Sequence, residues 1–98
     1  MSTRIVIRPE AEQDMADARD WYEDQRDGLG DKFLLALDEV FDRIAATPEI
    51  VPPEYRSVRR LNLHRFPYVV YYRLVVDFID VIAVLHGSRD PRGWKSRA

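Results

Sequence analysis

Arg59-Arg60-Leu61-Asn62-Leu63-His64-Arg65-Phe66-Pro67-Tyr68-Val69-Val70-Tyr71-Tyr72-Arg73, followed at a short distance by Ile79-Asp80-Val81-Ile82-Ala83-Val84-Leu85-His86-Gly87-Ser88-Arg89-Asp90-Pro91-Arg92-Gly93-Trp94, decides how the chain folds. Tyr68 to Leu74 and Ile79 to Leu85 are dense in Val, Ile, Tyr and Leu, side chains that fit a pleated, half-buried surface. Breakers bound both runs: Phe66-Pro67 before the first, Asp77 between them, and Gly87 and Pro91 after the second. The spacing predicts a tight antiparallel hairpin, although Val76-Asp77 lacks the glycine that usually eases such a turn. Apolar residues occupy both parities, so both faces of the sheet are expected to be covered.

Working outward, Leu61 and Leu63 continue the pattern backwards, and Tyr55 to Leu63 reads as a further strand. Its second face carries Arg60 and Asn62. Thr47 to Pro53, with three prolines, is a connector. Before it lie two helical patterns. Phe33, Leu37, Val40, Phe41 and Ile44 make the buried stripe of a helix ending near Thr47, with Leu35 pointing away from that stripe. Ala11, Met15, Ala18 and Tyr22 make the stripe of an earlier helix, from Pro9 to about Arg26. Asp27-Gly28-Leu29-Gly30-Asp31 stops the first helix and offers Asp31 as N-cap of the second. So short a joint requires an antiparallel helical hairpin. Arg4-Ile5-Val6-Ile7-Arg8 is a short opening strand. The order is strand, helix, helix, strand, strand, strand. This is an α+β fold, with the hairpin packed on a small, mainly antiparallel sheet, in a single domain over residues 1–98.

Composition removes several function classes. Cysteine is absent, which excludes disulfides, thiolate metal sites and a cysteine nucleophile. His64 and His86 are the only histidines and lie on different elements, so no metal and no cofactor are expected. Gly28 and Gly30 do not follow a strand and form no phosphate loop. No run approaches the ~20 apolar residues of a membrane span, and the expected compartment is the cytoplasm. The net charge of −2 hides a split: residues 1–50 carry 6 Lys+Arg against 13 Asp+Glu, and residues 51–98 carry 9 against 4. Either the basic half meets an anionic partner, or the halves neutralise each other in the fold.

Arg59, Arg60, His64, Arg65, Tyr68, Tyr71, Tyr72, Arg73, His86, Arg89, Arg92 and Trp94 form a basic, aromatic set on or beside the sheet. Metal-free RNA cleavage needs a base for the 2′-hydroxyl, an acid for the leaving oxygen and cations for the phosphorane, roles open to His, Tyr and Arg. The same residues could instead grip a phosphate backbone or an acidic protein, or simply pack and snorkel. Residue chemistry leaves nuclease, binding module and packing open.

The chain resembles the ParE/RelE superfamily of bacterial type II toxins. The element order fits end to end, with entry to the hairpin through Arg8-Pro9-Glu10-Ala11, and the Val58–Arg73 and Ile82–Pro91 stretches occur together at the family's spacing. The resemblance implies a toxin neutralised by a cognate antitoxin, in a hetero-oligomer. Its RelE-like branch cleaves mRNA in the ribosome with basic residues on alternate positions of the second strand and at the start of the third. Here those positions hold Arg60, Asn62 and Val69, and the branch's terminal aromatic corresponds to Trp94.

The long hairpin is more similar to the ParE-like branch, whose members stall DNA gyrase and have no catalytic centre of their own. That reading implies a gyrase inhibitor and not an enzyme, with the target met by Arg89, Arg92, Trp94 and Lys95 and the antitoxin met by Leu35 on the hairpin. The segment after Gly87 is then expected to be dispensable for folding. The alternative is a ribosome-dependent endoribonuclease using Arg60, Arg73 and His86. A third reading is a degenerate toxin that only binds its antitoxin.

Overall fold

Ile5 and Ile7 need an apolar surface on one side only, and they find it along the last strand rather than in a hairpin of their own. In the computed structural model, which describes residues 3–98, the elements are β1 (Arg4–Ile7), α1 (Pro9–Gln25), α2 (Leu29–Ala46), β2 (Val58–Asn62), β3 (Tyr68–Val75), β4 (Phe78–His86) and a terminal turn of helix, α3 (Arg92–Lys95). The sheet order is β1-β4-β3-β2. β2 to β4 form an antiparallel meander, and β1 adds parallel to β4, with Ile5 opposite Ile79 and Ile7 opposite Val81. The sheet is therefore mixed. Between β1 and β4 the chain passes through the helical hairpin and then β2 and β3, a connection long enough for parallel pairing, which no tight turn could supply.

Two cores form, one on each face. Phe33, Leu37, Val40 and Ile44 of α2 join Ala11, Ala18 and Tyr22 of α1 against Val70, Tyr72, Ile79, Val81 and Val84. On the other face Val58, Val69, Tyr71, Ile82, Ala83 and Leu85 close around Trp94 of α3. A register shift between Tyr71 and Tyr72 makes this division possible. Ile82 is the extra residue, so Ile82 and Ala83 join the same core while Val81 and Val84 both serve the other. A bulge breaks the period of two and re-aims the following side chains.

The turns depart from expectation. α2 starts at Leu29, and its N-cap is Gly28 at φ 87°, not Asp31. The joint is fastened by Glu23, whose carboxylate accepts the N–H groups of Gly28 and Gly30, each at 3.0 Å. Gly30 is needed for space, because a Cβ there would lie 2.9 Å from the Arg19 carbonyl oxygen. β2 is shorter than its sequence pattern, since Arg56 and Ser57 turn the chain with φ of 48° and 66°, leaving Tyr55 bridged back to Val58. The β3–β4 turn does form without glycine, with Val76 at φ 37° and almost fully exposed.

Candidate functional site

The bulge and the short first strand create a backbone problem. β1 ends at Ile7, so beyond Val81 the flank of β4 has no neighbouring strand. Two side chains substitute for one: Asp14 of α1 accepts the Val84 N–H at 3.1 Å, and Arg97 donates to the Ile82 carbonyl at 3.1 Å. Arg97 and Asp14 also pair with each other at 2.6 and 3.2 Å. One step away Asp80, 8% exposed, takes both ends of Arg8 at 3.0 and 2.7 Å and Arg73 at 3.3 Å. Arg8 further donates to the Arg97 carbonyl at 2.7 Å. The hydrogen bond from Arg8 to Asp80 raises the guanidinium pKa, as the one to Asp14 does for Arg97. Buried charge is tolerated here because every carboxylate is paired and hydrogen-bonded.

This network determines the status of the C-terminal segment. Trp94 is 4% exposed and stacks on Tyr71 at 4.7 Å and 18°, with Tyr55 edge-on at 5.9 Å. Arg97 is held as described above. The segment after Gly87 is thus part of the second core and its closure, rather than a dispensable tail. What it presents outward is Arg89, Arg92 and Lys95, all exposed. Arg92 is fastened to Asp90 at 2.6 Å, a pairing that lowers the Asp90 pKa and raises that of Arg92.

The nuclease candidates do not all meet. His86 lies opposite Tyr68, their rings 5.5 Å apart, at the end of a cleft of about 260 Å³ that Arg60, Asn62 and Ser88 also line. The Ser88 N–H donates to His86 Nδ1 at 3.1 Å, leaving Nε2 to carry the proton of the neutral ring. Burial raises the Tyr68 pKa, so the phenol stays protonated at neutral pH. Arg73 sits opposite Asp80, five residues along β3 from Tyr68, or about 17 Å at ~3.4 Å per residue. It is committed to Asp80 and is not in the cleft.

A larger groove, of about 780 Å³, runs between the hairpin and the β2–β3 loop. Tyr22, Leu29, Leu35, Ala36, Phe66 and Pro67 give it an apolar lining, and Arg26, Lys32, Glu39, His64 and Arg65 add polar and charged groups. Leu35, 68% exposed, stands in it. Sequence reading found Leu35 but missed Asp14, Asp80, Arg8 and Arg97. The only available signal was the lone carboxylate of Asp80 inside an apolar strand, which had to be paired.

Among the described residues there is no group of three His, Cys, Asp or Glu side chains able to hold a metal ion, and no helix long and apolar enough to cross a membrane. Comparisons with known proteins agree with the architecture. Residues 5–91 match the model of the family described as "ParE toxin of type II toxin-antitoxin system, parDE". The chain is 32% identical over 92 residues to Toxin ParE2 of Mycobacterium tuberculosis, strains CDC 1551 / Oshkosh and ATCC 25618 / H37Rv, covering 93% of this chain and 88% of the relative. A solved structure of the chromosomal ParDE toxin–antitoxin system from P. aeruginosa superposes with a TM-score of 0.63 at 18% identity, over 87% of this chain and 96% of that one, and shares the fold. With a match over nearly the whole β–α–α–β–β–β core, the chain belongs to the ParE toxin family and is the toxin component of a ParDE type II toxin–antitoxin system.

Proposed function

We propose that this toxin inhibits DNA gyrase, without chemistry of its own, and is neutralised in the cytoplasm by a cognate antitoxin bound in a hetero-oligomer. The observation that carries the reading is the commitment of Arg73 to Asp80. It leaves the cleft around His86 with Arg60 as its one lining arginine or lysine, too little positive charge for a phosphorane. The target contact falls to Arg89, Arg92 and Lys95, displayed on a segment that Trp94 anchors by its burial. The antitoxin contact falls to the hairpin groove, where Leu35 offers an apolar anchor of the kind that peptide partners bury.

A ribosome-dependent endoribonuclease is the second reading, favoured by one observation: Arg60, His86 and the protonated Tyr68 line the same cleft. Purified toxin assayed for gyrase supercoiling and, in parallel, for mRNA cleavage on translating ribosomes tests both. Lost supercoiling with accumulated cleaved DNA and intact mRNA supports the first. Cut mRNA with unaffected gyrase sinks it, and silence in both from a folded protein points to a toxin that only binds its antitoxin.

A further inference from the structure

The second face of the sheet ends in a cluster that the antitoxin groove does not use and that the gyrase reading shares only at Lys95. Three cations gather on three aromatic rings there. The Arg60 guanidinium lies 5.6 Å from the centroid of Tyr71, and that of Arg56 lies 5.3 Å from Tyr55. The Lys95 ammonium is 5.0 Å from Tyr55 and 5.7 Å from Trp94. Ring quadrupoles attract cations, which offsets the repulsion of bringing like charges together. Among the described residues the neutralising charge is small: Glu54, half-exposed, reaches Arg60 at 3.9 Å, and neither Arg56 nor Lys95 forms a salt bridge. Both are exposed.

The backbone at this place is unfavourable for its sequence. Arg56 and Ser57 occupy a two-residue turn with positive φ at both positions, a geometry suited to Asn-Gly. An arginine there is poorly explained by the turn, and strain of this kind gathers where function holds it.

We propose that Arg56, Arg60 and Lys95 form a contact for the phosphate backbone of duplex nucleic acid, adding direct polyanion binding to the toxin's activities. The choice of partner follows from what the patch lacks. Among the described residues the exposed large apolar side chains are Val6, Trp21, Leu35, Ile50 and Val76, and none belongs to this cluster. A protein interface needs accessible apolar or aromatic anchors at its centre, which the Leu35 groove has; here Tyr71 and Trp94 are buried and Tyr55 lies beside two cations. Unpaired bases need free ring faces for stacking, whereas Trp94 is buried and Tyr55 already carries two cations. What remains is charge placed for phosphates, the sequence-independent part of nucleic-acid binding.

The test is fluorescence anisotropy of the full chain with a short labelled DNA duplex, the matching RNA duplex, a single strand and polyglutamate, over a range of salt. Three phosphate contacts give a log–log salt slope of about −3, a loss of roughly forty-fold between 50 and 200 mM. The surface variant R56Q/K95Q should reduce that slope by about 2, with K32Q in the distant groove leaving it unchanged. Binding to either duplex with these slopes upholds the proposal and identifies the source of the backbone. It is overturned by no duplex binding at low salt, by an unchanged slope in a folded R56Q/K95Q, or by tighter binding to the single strand or to polyglutamate. No gyrase is present in the assay, so its result is separate from that of the supercoiling test.

Discussion

Arg97 closes on Asp14 across 83 positions of sequence, its Nη1 and Nη2 at 2.6 and 3.2 Å from the two carboxylate oxygens. The pair carries two functions at once, since each partner also satisfies a backbone group of β4 that no strand reaches. Asp14→Asn should therefore lower the unfolding free energy measured by urea titration by about 3 kcal/mol, because it leaves a part-buried guanidinium without its counter-charge. A loss under about 0.5 kcal/mol would mean the pair behaves as a surface ion pair.

Asp80 serves two arginines and Arg73 only one carboxylate. The variants should rank accordingly. Asp80→Asn, leaving Arg8 and Arg73 uncompensated, is expected to cost about 3 kcal/mol or more. Arg73→Ala should cost less, since the Arg73 Nε–H is buried without a partner even in the native protein. Equilibrium unfolding of both variants decides the order, and a reversed ranking would overturn this account of the network.

Trp94→Ala should cost about 3–5 kcal/mol and loosen α3 together with the second core. The exposed triple variant R89Q/R92Q/K95Q should leave the unfolding midpoint nearly unchanged while abolishing growth inhibition. Full toxicity of that triple variant would remove these side chains from the target contact. His86→Ala, by the same logic, should leave toxicity intact.

Glu23 gives the acid limb of the stability curve a specific cause. The Gly28 and Gly30 N–H groups hold its carboxylate below the ordinary value of 4.5. A depressed carboxylate contributes stability that is present above its unfolded pKa and lost as pH falls through the folded one. Glu23→Gln should thus be less stable than the native chain at neutral pH, with the difference closing as the pH falls below the ordinary 4.5 and Glu23 takes its proton. A difference independent of pH would assign the effect to packing.

Replacing Arg56-Ser57 by Asn-Gly should raise stability by about 1 kcal/mol, since these residues accept positive φ at little cost. The same change should weaken binding to a nucleic-acid duplex. Stability and binding would then move in opposite directions at one turn.

Local chemistry was legible in the sequence and long-range geometry was not. The apolar stripe of α2 and the outward Leu35 followed from a period of 3.6, and both cores from the two parities of β3 and β4. The start of α2 was misread because Asp31 has a capping side chain, while the actual cap is Gly28, chosen for its positive φ and assisted by Glu23 from the preceding helix. The parallel placement of β1 has no local signature, since the same four residues suit either edge of a sheet. The buried network joins Arg8, Asp14, Arg73, Asp80 and Arg97, which no spacing rule connects. Part of the charge asymmetry of the two halves is neutralised by Arg97–Asp14, whereas Arg8–Asp80 bridges the halves in the opposite sense.

β4 sits inside the sheet, between β1 and β3, yet it is the last strand along the chain. During synthesis α1 and α2 are complete well before it, and helices close on local contacts quickly, whereas strand pairing across such separations is slow. The nascent hairpin must therefore hold the sheet-facing sides of Phe33, Leu37, Val40 and Ile44 incompletely covered until the final strand arrives, an interval in which they are open to aggregation or to a chaperone.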